Sequence, residues 1–126
     1  MALNVMIVDD SLIMIQKLSL MFTELGHTVV RVSKDGAEAV RDYPQFKPDL
    51  VTMDITMPGV MDGVDAMTAI KAGNPNARVI MVTSHGQEAM VLRALEAGAL
   101  GYVLKPVVKE RLSAMVDRAM AHVSHR

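Results

Sequence analysis

Five residues of this 126-residue chain combine a reactive type with a shared kind of position: Asp9 and Asp10, Asp54, Thr83 and Lys105. Each follows a short apolar or strand-forming run, over residues 5–8, 50–53, 79–82 and 101–104 respectively. Taken singly, each has an ordinary explanation. An aspartate caps a helix or starts a turn, a threonine ends a strand, and a lysine is solvated. Their common placement is the informative part. Short apolar runs bounded by turn signals read as buried strands of a parallel sheet, and open α/β sheets hold their ligands at the carboxyl ends of such strands.

Three carboxylates in one crevice repel one another. Two unit charges about 4 Å apart cost roughly 4 kcal/mol at a surface-like dielectric. A divalent cation and the Lys105 ammonium would relieve that cost. The donors are all hard oxygens, with no His or Cys among them, so Mg²⁺ is the expected metal. A metal held this way attracts phosphoryl oxygens, and Lys105 and the Thr83 hydroxyl would complete a set of donors around such a group. Asp54, expected innermost of the three, is then the natural nucleophile toward phosphorus, forming an aspartyl phosphate.

The elements that position these residues follow from periodicity. After the first strand, Met14, Leu18, Met21, Phe22 and Leu25 form one stripe of an amphipathic helix, capped by Asp10 or Ser11 and ended by Gly26. Residues 27–32 read as a second, more polar strand. Asp35-Gly36 reads as a turn, and 37–43 as a short helix stopped by Pro44 and Pro48. The loop 55–63 leads to a helix over 64–72, residues 73–76 form a loop, and the fourth helix spans 87–97, stopping at Gly98. Leu112, Met115, Val116, Ala119, Met120 and Val123 mark a final amphipathic helix. Five strands alternating with five helices predict an α/β, doubly wound (βα)5 fold with a five-stranded parallel sheet. A flavodoxin-like strand order 2-1-3-4-5 puts the polar second strand at an edge and brings the strand ends into one crevice.

Composition sets the remaining bounds. One domain covering 1–126 is expected, with 51% hydrophobic and 21% charged residues and a net charge of −1, an ordinary globular profile without bias toward nucleic acid or membrane. No cysteine is present, which excludes disulfides and thiolate metal sites. The first residues lack signal-peptide character and no apolar run approaches the roughly 18 residues of a membrane span, so a cytoplasmic protein is expected. The 12 methionines fall mostly at strand or helix-stripe positions and read as core filling. His122 and His125 read as solvated side chains, whereas His85, two residues after Thr83, is expected to overhang the crevice.

Over essentially its whole length the sequence resembles a response regulator receiver domain, the fold of CheY-like single-domain two-component regulators. The residues that carry the resemblance are Asp9-Asp10, Asp54 with Met57-Pro58 and Asp62-Gly63 after it, Thr83-Ser84, Tyr102, and Lys105-Pro106. The resemblance implies that Asp54 is the phosphoacceptor, and that Asp10, Asp54 and the backbone carbonyl of Thr56 bind Mg²⁺ with Asp9 contributing. It implies that Lys105 and Thr83 contact the phosphoryl group, that Tyr102 is a rotamer switch, and that the Lys105-Pro106 peptide is cis. Thr56 and His85 would tune the lifetime of the phosphorylated state. The donor would be a sensor histidine kinase or phosphotransfer protein, and output would pass by protein contact through the fourth helix, fifth strand and fifth helix. Neither nucleic-acid binding nor membrane insertion is implied. The chain would be a phosphoacceptor switch assisting its own phosphorylation and dephosphorylation rather than an enzyme. A chemotaxis-type or phosphorelay regulator fits, as does a receiver cut from a longer regulator. One departure stands out: Gly59, Val60 and Met61 separate Pro58 from Asp62-Gly63, where the family has two residues.

Two rival functions lack their chemistry. A haloacid-dehalogenase type of phosphohydrolase needs a second acid two residues after its nucleophile, where Thr56 stands, and an FMN carrier needs small hydroxyl or glycine residues where the first loop offers Asp-Asp-Ser.

Overall fold

The computed structural model describes residues 2–123, the side chains of His122 and Val123 excepted, so both C-terminal histidine side chains lie outside the described part. The elements run β1 (Asn4–Val8), α1 (Leu12–Glu24), β2 (Thr28–Ser33), α2 (Gly36–Phe46), β3 (Leu50–Asp54), α3 (Gly63–Gly73), β4 (Val79–Thr83), α4 (Glu88–Glu96), β5 (Gly101–Leu104) and α5 (Lys109–Val123). All strand pairs are parallel and the sheet order is β2-β1-β3-β4-β5, as the sequence predicts.

Alternation along the strands divides the core into two layers. Met6, Val8, Val51, Met53, Val79 and Met81 face one way and pack with Ala39 and Tyr43 of α2 and Val64, Met67 and Ile70 of α3. Val5, Ile7, Leu50 and Ile80 face the other way, onto Leu18 and Phe22 of α1 and Leu112 and Val116 of α5. β3 and β4 are buried at every position because helices cover both faces. Met6, Met53, Met67 and Met81 are fully enclosed, so the methionines serve largely as core filling.

Local details depart from the sequence reading at several places. α2 does not stop at Pro44 but runs through it to Phe46, ending at Lys47 in the left-handed region (φ 44°, ψ 57°). The exposed proline forfeits only its own amide bond, while buried Ala39, Asp42 and Tyr43 hold the helix face and the Lys47 N–H caps the Tyr43 carbonyl. β2 is displaced by one residue, 28–33 rather than 27–32, with a register shift against β1 between Val5 and Met6. In α1 the enclosed residues are Ile15, Leu18 and Phe22, and the stripe's Met14, Met21 and Leu25 are only half-buried. This helix also carries apolar Leu12, Ile13 and Leu20 on its exposed side, so periodicity alone does not fix its phase. Among the described residues no helix is long and apolar enough to cross a membrane.

Candidate functional site

The chain immediately after β1 is shaped by Asp9. Its backbone N–H bonds the Ser33 carbonyl at 3.0 Å, continuing the β1–β2 ladder. Its Oδ1 accepts the Ser11 N–H at 2.9 Å, turning the chain into α1, whose N-terminus Ser11 caps by accepting from the Met14 N–H. This leaves Oδ2, buried and without a hydrogen-bond partner, on the crevice side. Asp54 closes β3, with Oδ1 accepting the Thr56 N–H at 3.3 Å. The Lys105 ammonium, carried just past β5 ahead of a cis Lys105-Pro106 peptide, lies 3.6 Å from Asp54 Oδ1 and 4.0 Å from Asp9 Oδ2.

Asp9, Asp10 and Asp54 each bring a carboxylate oxygen within 4.8 Å of the others. Asp10 is exposed, whereas Asp9 and Asp54 are enclosed, 1% and 3% exposed. Burial pushes Asp54 up to about 6, and the neighbouring Asp9 charge adds to the rise, against the opposing pull of Lys105 and the Thr56 N–H. Burial likewise raises Asp9, offset in part by the Ser11 N–H and Lys105. One ammonium therefore leaves three clustered carboxylates under-compensated. Three hard-oxygen donors with an orphaned buried oxygen among them fit a small divalent cation such as Mg²⁺.

Thr83, His85 and Tyr102 line a neighbouring groove that none of the three acids or Lys105 lines. Thr83 ends β4, 1% exposed. Tyr102 is paired in register with Met81 on the neighbouring strand and is 43% exposed. Thr56 and His85 are both exposed. His85 lines a groove of about 310 Å³ with Thr83, Gln87, Val91 and Tyr102. Sequence reasoning missed Gln87. Its Oε1 accepts from the Thr83 hydroxyl at 2.8 Å and the Ser84 N–H at 3.0 Å, and its Nε2 donates to Thr56 Oγ1 at 3.4 Å. An uncharged residue at the start of a helix carries no motif, so only its place just before α4 marked it.

The loop from Asp54 to α3 is held at both ends. The Gly63 N–H bonds the Ile55 carbonyl at 3.0 Å. A Cβ at Gly63 would clash with the Asp54 carbonyl oxygen, so only glycine allows this approach. Asp62 caps α3 in a reciprocal box with Asp65, starting the helix one residue earlier than expected.

Comparison with known proteins agrees with this geometry. The response regulator receiver domain family matches residues 5–117. The chain is 43% identical over 112 residues to the chemotaxis protein CheY of Thermotoga maritima, spanning 89% of this chain and 92% of that one. It is 39% identical over 120 residues to the chemotaxis protein CheY of Bacillus subtilis, spanning 95% and 99%. The solved CheX-CheY-BeF3-Mg complex from Borrelia burgdorferi superposes with a TM-score of 0.84 at 38% identity, covering 90% of this chain and 85% of that one.

Proposed function

The chain belongs to the response regulator receiver domain family and is a two-component response regulator; from that premise we propose that Asp54 accepts a phosphoryl group and that the protein is a chemotaxis-type regulator. The observation that carries the reading is Asp54 itself. It is a nearly enclosed strand-end carboxylate, 3.6 Å from an ammonium and beside two further acids. With its carboxyl raised to about 6 by burial, it is mainly ionised at pH 7 and able to act as nucleophile. One of its oxygens bonds to phosphorus as the phosphorus–nitrogen bond of a phosphohistidine breaks, the electron pair remaining on the imidazole. The donor is a sensor histidine kinase or a histidine phosphotransfer protein.

Asp9, Asp10, Asp54 and the Thr56 carbonyl would hold Mg²⁺, which when bound offsets the charge gathering on the phosphoryl oxygens. Lys105 supplies a second positive charge from the β5 side, and Thr83 donates its hydroxyl proton to a phosphoryl oxygen. A phosphoryl group adds about −1.5 to −2 charges at pH 7, enough to recruit both. As the Thr83 hydroxyl moves, space opens beside Tyr102 on the neighbouring strand, and the ring turns inward. The face of α4, β5 and α5, where Leu92, Leu95 and Tyr102 are exposed, changes accordingly and binds an output protein. Hydrolysis of the aspartyl phosphate resets the switch, with the receiver assisting both steps and no small-molecule turnover. The whole cycle is assigned to the cytoplasm. Support for the chemotaxis role comes from matches spanning 92% and 99% of two CheY proteins.

Incubation with acetyl phosphate and Mg²⁺ tests the assignment. Intact mass should rise by one phosphoryl group, labile to hydroxylamine, and Asp54→Asn should abolish it. Undiminished labelling of that variant would overturn the role of Asp54.

A further inference from the structure

We propose that Gln87 is a latch that holds the resting state by occupying the one proton Thr83 has to give. The proposal rests on Asp54 being the phosphoacceptor. The amide orientation follows from its neighbours: the Ser84 N–H can only donate, so the Gln87 atom 3.0 Å from it is the oxygen. That same oxygen lies 2.8 Å from Thr83 Oγ1, which must then be the donor. A threonine hydroxyl carries a single proton. Its other contact, to the Ser84 carbonyl at 3.4 Å, is much the longer. The proton needed by a phosphoryl oxygen on Asp54 is therefore already committed, and the Thr83–Gln87 bond and a Thr83–phosphoryl bond exclude each other.

The other end of Gln87 extends the latch across the crevice. Its Nε2 donates to Thr56 Oγ1, joining the chain beyond β3 to the start of α4. Gln87 occupies the N-cap position of α4, yet its side chain makes no capping bond to that helix. The side chain that could satisfy the first turn of α4 is spent instead on Thr83, Ser84 and Thr56. Engagement of Thr83 by a phosphoryl group breaks the shortest of the three attachments and leaves the Ser84 N–H and Thr56 alone to hold the side chain. Gln87 is thus a positioning residue: it acts on the phosphoryl group only through Thr83, and it ties that event to the position of α4.

The test is affinity for beryllofluoride in the presence of Mg²⁺, measured by fluorine NMR titration on the full chain. Wild type, Gln87→Ala, Thr83→Ala and the double variant complete a cycle, with Asp54→Asn as control. Removing a bond that the bound state must break should tighten binding about two- to tenfold in Gln87→Ala. In the Thr83→Ala background the same change should have no effect, which a merely structural role for Gln87 would not produce. Amide exchange over residues 88–91 in the free protein should accelerate most in Gln87→Ala, which loses all three attachments, less in Thr83→Ala, which loses one, and no further in the double than in Gln87→Ala. Wild-type binding that is unaltered or weakened by Gln87→Ala, or altered equally in both backgrounds, overturns the latch alone. No binding by wild type overturns the aspartyl-phosphate reading and the latch with it.

Discussion

Asp42 and Asp54 are buried almost equally, 2% and 3% exposed, and their surroundings treat them in opposite ways. Asp42, on α2, accepts from Ser33 Oγ at 2.8 Å, Arg31 Nε at 3.0 Å and Arg41 Nε at 3.1 Å. Burial pushes its carboxyl up, but these donors outweigh burial and hold it below the ordinary carboxylate value. Arg31 is itself steadied over the Phe46 ring, 5.1 Å from its centre. Asp54 has one N–H at 3.3 Å and an ammonium at 3.6 Å, faces a second buried carboxylate, and is raised to about 6. Exclusion from solvent alone therefore does not separate these two acids; the supply of donors does. Asp42 is neutralised within the chain, whereas Asp54 is left to be completed from outside.

Breaking the satisfied side of this contrast should have the largest effect on stability. Asp42→Ala strands the buried Ser33 hydroxyl and frees Arg31, and is expected to cost about 2–3 kcal/mol in urea unfolding while leaving acetyl-phosphate labelling intact. A loss below about 0.5 kcal/mol would show that the network is ornamental. Asp54→Asn should act in the opposite sense, stabilising the metal-free protein at pH 7 by about 1–2 kcal/mol, because it removes an under-compensated buried charge. Added Mg²⁺ should stabilise wild type more than this variant.

The two acids should also part company with pH. Asp54 titrates near 6 in the folded chain and near 3.8 unfolded, so between these values the folded state binds more protons. Metal-free wild type should accordingly gain about 1 kcal/mol from this group as pH falls from 7 to 5, a gain that Asp54→Asn lacks. Asp42, with its depressed carboxyl, contributes stability above its unfolded value, and that contribution is lost only as pH falls below it toward the folded one. Urea titrations of both variants across pH 3–7 would show whether the two windows separate. The smallest effect concerns rate. On the proposal that Asp54 carries the phosphoryl group, substituting Thr56 or His85, the exposed residues two past Asp54 and Thr83, should change dephosphorylation severalfold without preventing phosphorylation, a barrier change of about 1 kcal/mol. Unchanged decay in both single variants would remove them from that role.

The strand order and the gathering of Asp9, Asp10, Asp54, Thr83 and Lys105 were legible because apolar runs ending in polar residues leave little choice of where those residues emerge. The run of α2 through Pro44 was not legible, since it depends on tertiary packing of Ala39 and Tyr43 outweighing one lost amide bond. The phase of α1 was hidden by Leu12, Ile13 and Leu20, apolar residues on its exposed side. Gln87 escaped for a different reason. Its contacts join β4, the loop after β3 and the start of α4, three segments that meet only once the sheet has formed.

The stapled base of the loop after β3 separates the loop's tip from its ends. Gly63 is pressed against the Asp54 carbonyl and bonded to Ile55, so the ends of the intervening segment are fixed whatever lies between them. Between those ends Gly59 adopts φ +102° and Val60 stands 100% exposed at the tip. A substitution or insertion at that tip should therefore leave the strand that carries Asp54 in register. What the rim of the crevice presents can thus be changed by protein engineering without moving the carboxylate beneath it.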